Sequence, residues 1–239
     1  MSTIDGIVSY ALPGRAGAAV VSERKESDRF MLGLLRACCD VVVVGAGTLR
    51  VEGRHTWTAA HVFKPAAADF SALRSAMGKP EHPLAAFVTA SGNVDLELPA
   101  FRGPGESVLI TTEAGAARLG ALPQRTRVHV IAGTSRPGGA ADGGRPSARA
   151  VLDAVVAESG ARMVLSEGGP AMLGTLLREK LLDELFLTVA PRLAGRSAEE
   201  RRLALVEDAA FTPEDAPRAR LLSAKRADDY LFVRYAMRG

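Results

Sequence analysis

Residues 162–170 read RMVLSEGGP, and residues 171–181 that follow read AMLGTLLREKL. The first stretch is a short apolar run that stops at an acid, two glycines and a proline. In the second, Met172, Leu173, Leu176 and Leu177 recur at helical spacing, and Pro170 sits where a helix accepts proline, in its first turn. A buried strand that feeds directly into an amphipathic helix is half of a strand–helix–strand unit, so this joint points to an α/β fold. Its two glycines have two readings. One is a tight turn. The other is bare backbone brought close to a ligand.

Working outward, the same rhythm recurs. Apolar runs rich in Val, Ile and Leu lie at 41–44, 84–89, 107–111, 127–132, 162–166 and 184–190, with a final pair at 218–227 and 229–237. Most are continuous rather than alternating, as strands buried on both faces of a parallel sheet are. Helical patterns lie between them. In 27–39, Ser27 is the expected N-cap, and Phe30, Met31, Leu34, Leu35 and Cys38 form the expected inner face. In 147–160, Ser147 caps the start, Val151, Leu152, Val155 and Val156 form the stripe, and Gly160 ends it. The last two strands have no helix between them, which predicts an antiparallel hairpin at the sheet edge. The Gly- and Pro-rich stretch 133–148 reads as a long surface loop, because the rhythm continues on both sides of it. The chain is therefore expected to be a single domain, 1–239.

Composition narrows the partners. Of 239 residues, 47% are hydrophobic and 24% charged, ordinary for a globular protein. Thirty Lys and Arg against 27 Asp and Glu give a formal charge of +3, and no basic block with interleaved aromatics suggests nucleic acid. The mild excess suits a phosphorylated ligand. Cys38 and Cys39 are adjacent and provide no disulfide framework, which fits a reducing compartment. The N-terminus lacks signal-peptide features, and no apolar run approaches the ~18 residues of a membrane span. These features predict a cytoplasmic protein. The four histidines are scattered, and no zinc, zinc-deaminase or serine-hydrolase motif occurs. Trp57 reads as a core residue or a substrate-stacking one.

The chemistry-bearing candidates cluster at strand ends. A second glycine joint, VVVVGAGTLR, occupies 41–50, though neither joint is a GxGxxG or a P-loop. Thr111 and Thr112, and likewise Thr89 and Ser91, end strands where a hydroxyl can cap a helix or meet a phosphate. Glu167 lies at the carboxyl end of its strand, the edge where open α/β sheets bind ligands. There it can take a polar substrate group or an exocyclic amine. Asp5 precedes Gly6 in a turn-like pair.

The stretch 166–195, SEGGPAMLGTLLREKLLDELFLTVAPRLAG, resembles the signature of the pyrimidine reductases of riboflavin biosynthesis. DVVVVGAGTLRVEG at 40–53 and STIDG at 2–6 resemble further motifs of that family, in the same order. The resemblance implies a dihydrofolate-reductase-like fold, with a mainly parallel sheet flanked by helices and an antiparallel C-terminal edge. It implies NADPH, a homodimer, and reduction of the ribosyl group of a phosphorylated 5-amino-6-ribosylaminopyrimidine to ribityl. Carried over by position, Gly45, Ala46, Gly47 and Thr48 line the nicotinamide side. Gly168, Gly169, Pro170 and Ala171 hold the diphosphate, and Thr111 and Thr112 lie near the 2′-phosphate. Asp5 and Glu167 face the substrate as the catalytic pair, with Ser2, Arg50 and Glu52 as substrate-binding residues. The run VEGRHTWTA departs from the family's Asp-Asp-Pro-x-Leu-Thr-x-Arg pattern; Glu52 stands for the first Asp, and Arg50 or Arg54 for the cation. That departure keeps open a related reductase acting on a dihydropterin or dihydrofolate; a non-catalytic nucleotide-binding protein on the same fold is a further alternative.

Overall fold

The structure is a computed structural model that describes residues 1–133 and 146–237. The expected loop 133–148 therefore lies mostly outside the described residues. In chain order the strands are β1 (Ser2–Thr3), β2 (Ile7–Ser9), β3 (Val41–Gly45), β4 (Leu84–Thr89), β5 (Ser107–Thr111), β6 (Thr126–Val130), β7 (Val164–Ser166), β8 (Glu184–Ala190), β9 (Leu203–Ala204), β10 (Arg220–Ala227) and β11 (Tyr230–Ala236). The helices are α1 (Ala18–Val21), α2 (Glu26–Cys38), α3 (Ala46–Val51), α4 (Ala59–Val62), α5 (Ala67–Ala76), α6 (Pro99–Arg102), α7 (Glu113–Ala116), α8 (Ala148–Ser159) and α9 (Pro170–Arg178). The chain forms two compact units, Arg29–Gly169 and Met1–Asp28 with Pro170–Gly239.

The unit 29–169 is built on a five-stranded parallel sheet in the order β6-β5-β4-β3-β7. Its strands are continuous apolar runs because both faces are covered. Val44, Phe87 and Leu109 lie side by side across β3, β4 and β5. All three are fully buried, and they share a cluster with Trp57 and Phe101. Trp57 is thus a core residue. Its ring meets Phe87 edge-on at 5.3 Å, and its backbone is left-handed (φ 51°). Helix α8 follows the sequence reading at both ends. The Ser147 hydroxyl accepts from the Ala150 amide, and Gly160 closes the helix at φ 62°. Its stripe is Val151, Ala154 and Val155, whereas Val156 is exposed.

Helix α2 departs from expectation. It begins at Glu26, so Ser27 lies inside the first turn and is not the cap. Its buried residues are Gly33, Arg36 and Ala37, while Phe30 stays 41% exposed. Cys39, not Cys38, is in the core, and burial pushes its thiol up to about 12. The Phe30 ring and Leu34 still pack towards Phe63 and Phe70, and Arg36 is buried beside them. A second buried arginine, Arg74 of α5, fixes the end of the helix. Its Nη1 donates to the carbonyls of Arg36, Ala37 and Cys39 at 3.1, 3.1 and 2.7 Å, and its Nε donates to Pro80 at 2.6 Å. A guanidinium placed there satisfies carbonyls that the last helical turn leaves open.

The other unit carries a four-stranded sheet in the order β1-β8-β11-β10, with β1 parallel to β8 and the remaining pairs antiparallel. The expected hairpin is β10–β11, and β10 forms the sheet edge. That edge carries Arg220, Lys225 and Arg226, charges that discourage pairing with another chain. Cross-strand partners share a face. One face therefore carries Leu185, Leu187 and Val189 of β8, opposite Tyr235, Val233 and Leu231 of β11, with Leu221 of β10 beside Tyr235. Leu221 and Leu231 are 52% and 46% exposed. The helix α9 starts at Pro170 as expected, and Gly174 and Leu176 are its buried residues.

Candidate active site

Because the five strands are parallel, their carboxyl ends form one edge, and the two glycine joints fall on neighbouring strands there. β3 pairs with β7, Val43 opposite Ser166, and the Glu167 amide extends the ladder by donating to the Val43 carbonyl at 2.9 Å. Beyond β3 the chain turns at Gly45, with extended backbone, straight into α3. Gly45, Ala46, Gly47 and Thr48 therefore lie beside Gly168 and Gly169. A Cβ added at Gly169 would meet only the Thr48 hydroxyl, at the ordinary contact distance of 3.5 Å. One added at Gly47 would meet nothing within 4 Å. Neither glycine has the positive φ that demands glycine. Protein packing and turn geometry thus do not require these two side chains to be absent.

Arg36 was not singled out in the sequence, yet it organises this edge. Its Nε and Nη2 donate to Oε1 and Oε2 of Glu167, each at 2.7 Å, and its Nη1 donates to the Thr58 carbonyl at 3.1 Å. Arg36 is 1% exposed. Glu167, expected to face a substrate, has both oxygens engaged in this fork. A bidentate guanidinium–carboxylate pair fixes geometry as well as charge.

The other candidates of this unit divide. Arg50 and Arg54 are exposed on α3 and the loop after it. Glu52 ends α3, and its carboxylate lies 3.3 Å from His55, whose ring is 4.9 Å from that of His61. Burial first, then the charges of His55 and Arg36, lower the pKa of His61. Thr111 and Thr112 are fully buried at the end of β5. Thr112 caps α7: its hydroxyl accepts from Gly115 at 3.1 Å and donates to Ala90 at 2.8 Å. The Thr111 hydroxyl is buried with no hydrogen-bond partner among the described residues, and the Thr111 and Thr112 carbonyls accept from the Ile131 and Ala116 amides, each at 2.8 Å. A cleft of about 460 Å³ adjoins them, lined by Thr112, Glu113, Ala114 and Val130 to Gly133.

In the other unit, Ser2 is buried in β1, paired with Val189. Asp5 is exposed and clamps the chain after β8. It accepts from the Thr3 hydroxyl at 2.5 Å and from the Ala194 and Gly195 amides at 3.1 and 2.7 Å. The Thr3 bond foremost, with the two amides, holds its carboxyl down to about 2. Asp5 is therefore an ionised acceptor at neutral pH and is unsuited to donating a proton. Asp28, near the start of α2, has the opposite character. Burial pushes its carboxyl up, against the Thr188 hydroxyl bond and the Met1 amine, which pull it down. A raised carboxyl is a signature of acid–base sites. Sequence reading passed over Asp28 because it precedes an apolar helix face like any polar first-turn residue. Pro170 and Ala171 form the first turn of α9.

Among the described residues no cluster of three or more metal-ligating side chains occurs, and no helix is long and apolar enough to cross a membrane. The family model of the RibD C-terminal domain matches residues 1–229. The chain belongs to the RibD C-terminal domain family. A comparison with curated proteins found no match. Among solved structures, this RibD-type domain is similar to a pyrimidine reductase-like protein of Corynebacterium diphtheriae (21% identity, TM-score 0.72, covering 100% of this chain and 89% of that one). It is also similar to Acinetobacter baumannii RibD (18%, TM-score 0.71, 100% and 56%). A third is the Saccharomyces riboflavin biosynthesis reductase Rib7 (12%, TM-score 0.64, 99% and 86%). The chain thus spans little more than half of the Acinetobacter protein. These likenesses establish the α/β reductase-like fold.

Proposed function

We propose that the chain is a single-domain NADPH-dependent reductase of riboflavin biosynthesis, converting the ribosyl group of a 5-amino-6-(5-phosphoribosylamino)pyrimidine to ribityl. Family membership supports the reaction class. The observation that carries the site is the adjacent pair of bare positions, Gly47 and Gly169, on the ligand-binding edge of a parallel sheet. Gly45 to Thr48 and Gly168 to Ala171 would hold the cofactor through backbone groups, with Thr111 and Thr112 towards its adenosine end. When bound, the cofactor supplies the hydride.

Reduction of an open-chain imine or carbonyl also needs a proton. Asp5 is ionised, and Glu167 is held by Arg36. A water bound at the sheet edge is the donor in this reading. Arg50 and Arg54 supply cations for the substrate phosphate, with Glu52 beside them. The apolar sheet face of Leu185, Leu187, Val189, Leu221 and Leu231 is the surface a second copy would cover, in a homodimer in the cytoplasm.

A second reading keeps the fold and cofactor and changes the substrate to a dihydropterin or dihydrofolate. The observation favouring it is the loop after α3, where Glu52 pairs with His55 and Trp57 turns inward. Steady-state rates with NADPH and either the phosphorylated pyrimidine or dihydrofolate separate the two.

A further inference from the structure

The region around α2 contains a linkage that family membership does not assign. Arg74 pins the last carbonyls of α2, including that of Arg36 itself. The Arg36 side chain is thereby anchored at its base. Its fork then joins two separate segments, the Glu167 carboxylate that opens the Gly168–Gly169 joint and the Thr58 carbonyl in the loop after α3. The Glu167 amide is held in turn by the Val43 carbonyl, two residues before Gly45. We infer that Arg36 is a positioning residue for the cofactor edge: its guanidinium sets the spacing between the Gly168–Gly169 backbone and the Gly45–Thr48 joint. This inference rests on the reading that a nicotinamide dinucleotide binds there.

The geometry distinguishes positioning from bulk stabilisation. A buried ion pair that serves packing alone can be replaced by apolar residues of similar volume at little cost to stability. A pair that fixes backbone spacing cannot be replaced without moving the backbone, and a displacement on the scale of an ångström costs binding and rate. Lysine does not substitute, because an ammonium is a single point charge and cannot hold two carboxylate oxygens and a carbonyl in one plane.

The test uses the full chain and NADPH, followed by nicotinamide fluorescence, with thermal melts run in parallel. The variants are Arg36→Lys, Arg36→Ala, and the double replacement Arg36→Met with Glu167→Met, which leaves no buried charge unpaired. The double variant is expected to melt near the wild type and to bind NADPH at least about tenfold more weakly. Arg36→Lys should weaken binding similarly, and millimolar guanidinium, but not ammonium, should restore affinity to Arg36→Ala. Wild-type affinity in the folded double variant overturns the inference. If the double variant does not fold, wild-type affinity in Arg36→Lys overturns it instead. A wild-type protein that binds neither NADPH nor NADH overturns the functional reading itself, a result distinct from either of these.

Discussion

Two pairs of glycines sit on the same carboxyl edge of the parallel sheet and are glycine for different reasons. Gly92 and Gly115 press backbone on backbone. A Cβ on Gly92 would fall 2.0 Å from the Gly115 carbonyl oxygen, and one on Gly115 would fall 2.1 Å from the Thr111 hydroxyl and 2.6 Å from the Ala90 carbonyl. Gly92 also has φ 68°. Gly47 and Gly169 have ordinary φ and room for a side chain. The protein accounts fully for the first pair. The second pair has no such cause within the protein, and the proposed nucleotide, drawn close to bare amides, would supply one.

The comparison can be broken by adding one methyl group at a time. Gly115→Ala should cost the most, about 3 kcal/mol in urea unfolding, because backbone and an enclosed hydroxyl cannot move aside. A cost below 1 kcal/mol, read against the same principle, would mean that this edge yields more easily than its contacts indicate. Gly47→Ala should have the opposite sign. It lies within α3 and meets nothing, so helix propensity should stabilise the protein by about 0.5–1 kcal/mol, while NADPH binding weakens. Destabilisation there would return Gly47 to a structural role. Gly33→Ala should give the smallest net change, within about 1 kcal/mol of zero. Its Cβ would meet the edge of the buried Phe70 ring at 2.7 Å, and the strain of moving that core ring offsets what the helix gains from alanine.

Much of the fold was legible because it follows from period and punctuation. Continuous Val-rich runs gave the parallel sheet, Ser147 and Gly160 bounded α8, and Pro170 opened α9. The neighbouring joints at 45–48 and 168–171 were legible as candidates because glycine at a strand end is visible in one dimension. What sequence hid were ionisable groups that fold inward. Arg36 and Arg74 sit in helical patterns as ordinary polar positions, and only burial reveals that one holds Glu167 and the other ends α2. For the same reason the expected inner face of Phe30, Met31, Leu34, Leu35 and Cys38 missed the fully buried Gly33, Arg36 and Ala37, although Leu34 and the Phe30 ring do pack towards Phe63 and Phe70. Asp5 and Asp28 show the limit most clearly. Both are aspartates near the N-terminus, and their hydrogen bonds and burial drive their pKa values in opposite directions. No pattern of residue types contains that difference.

The most direct test of the account is an NADPH titration of wild type and Gly169→Val, with a thermal melt of each. The account predicts that the wild type binds NADPH. It also predicts that the valine variant melts within a few degrees of the wild type, since its first side-chain atom has room, yet loses at least about tenfold in affinity. A folded Gly169→Val protein with unchanged NADPH affinity would contradict the claim and leave the glycine joint as a turn.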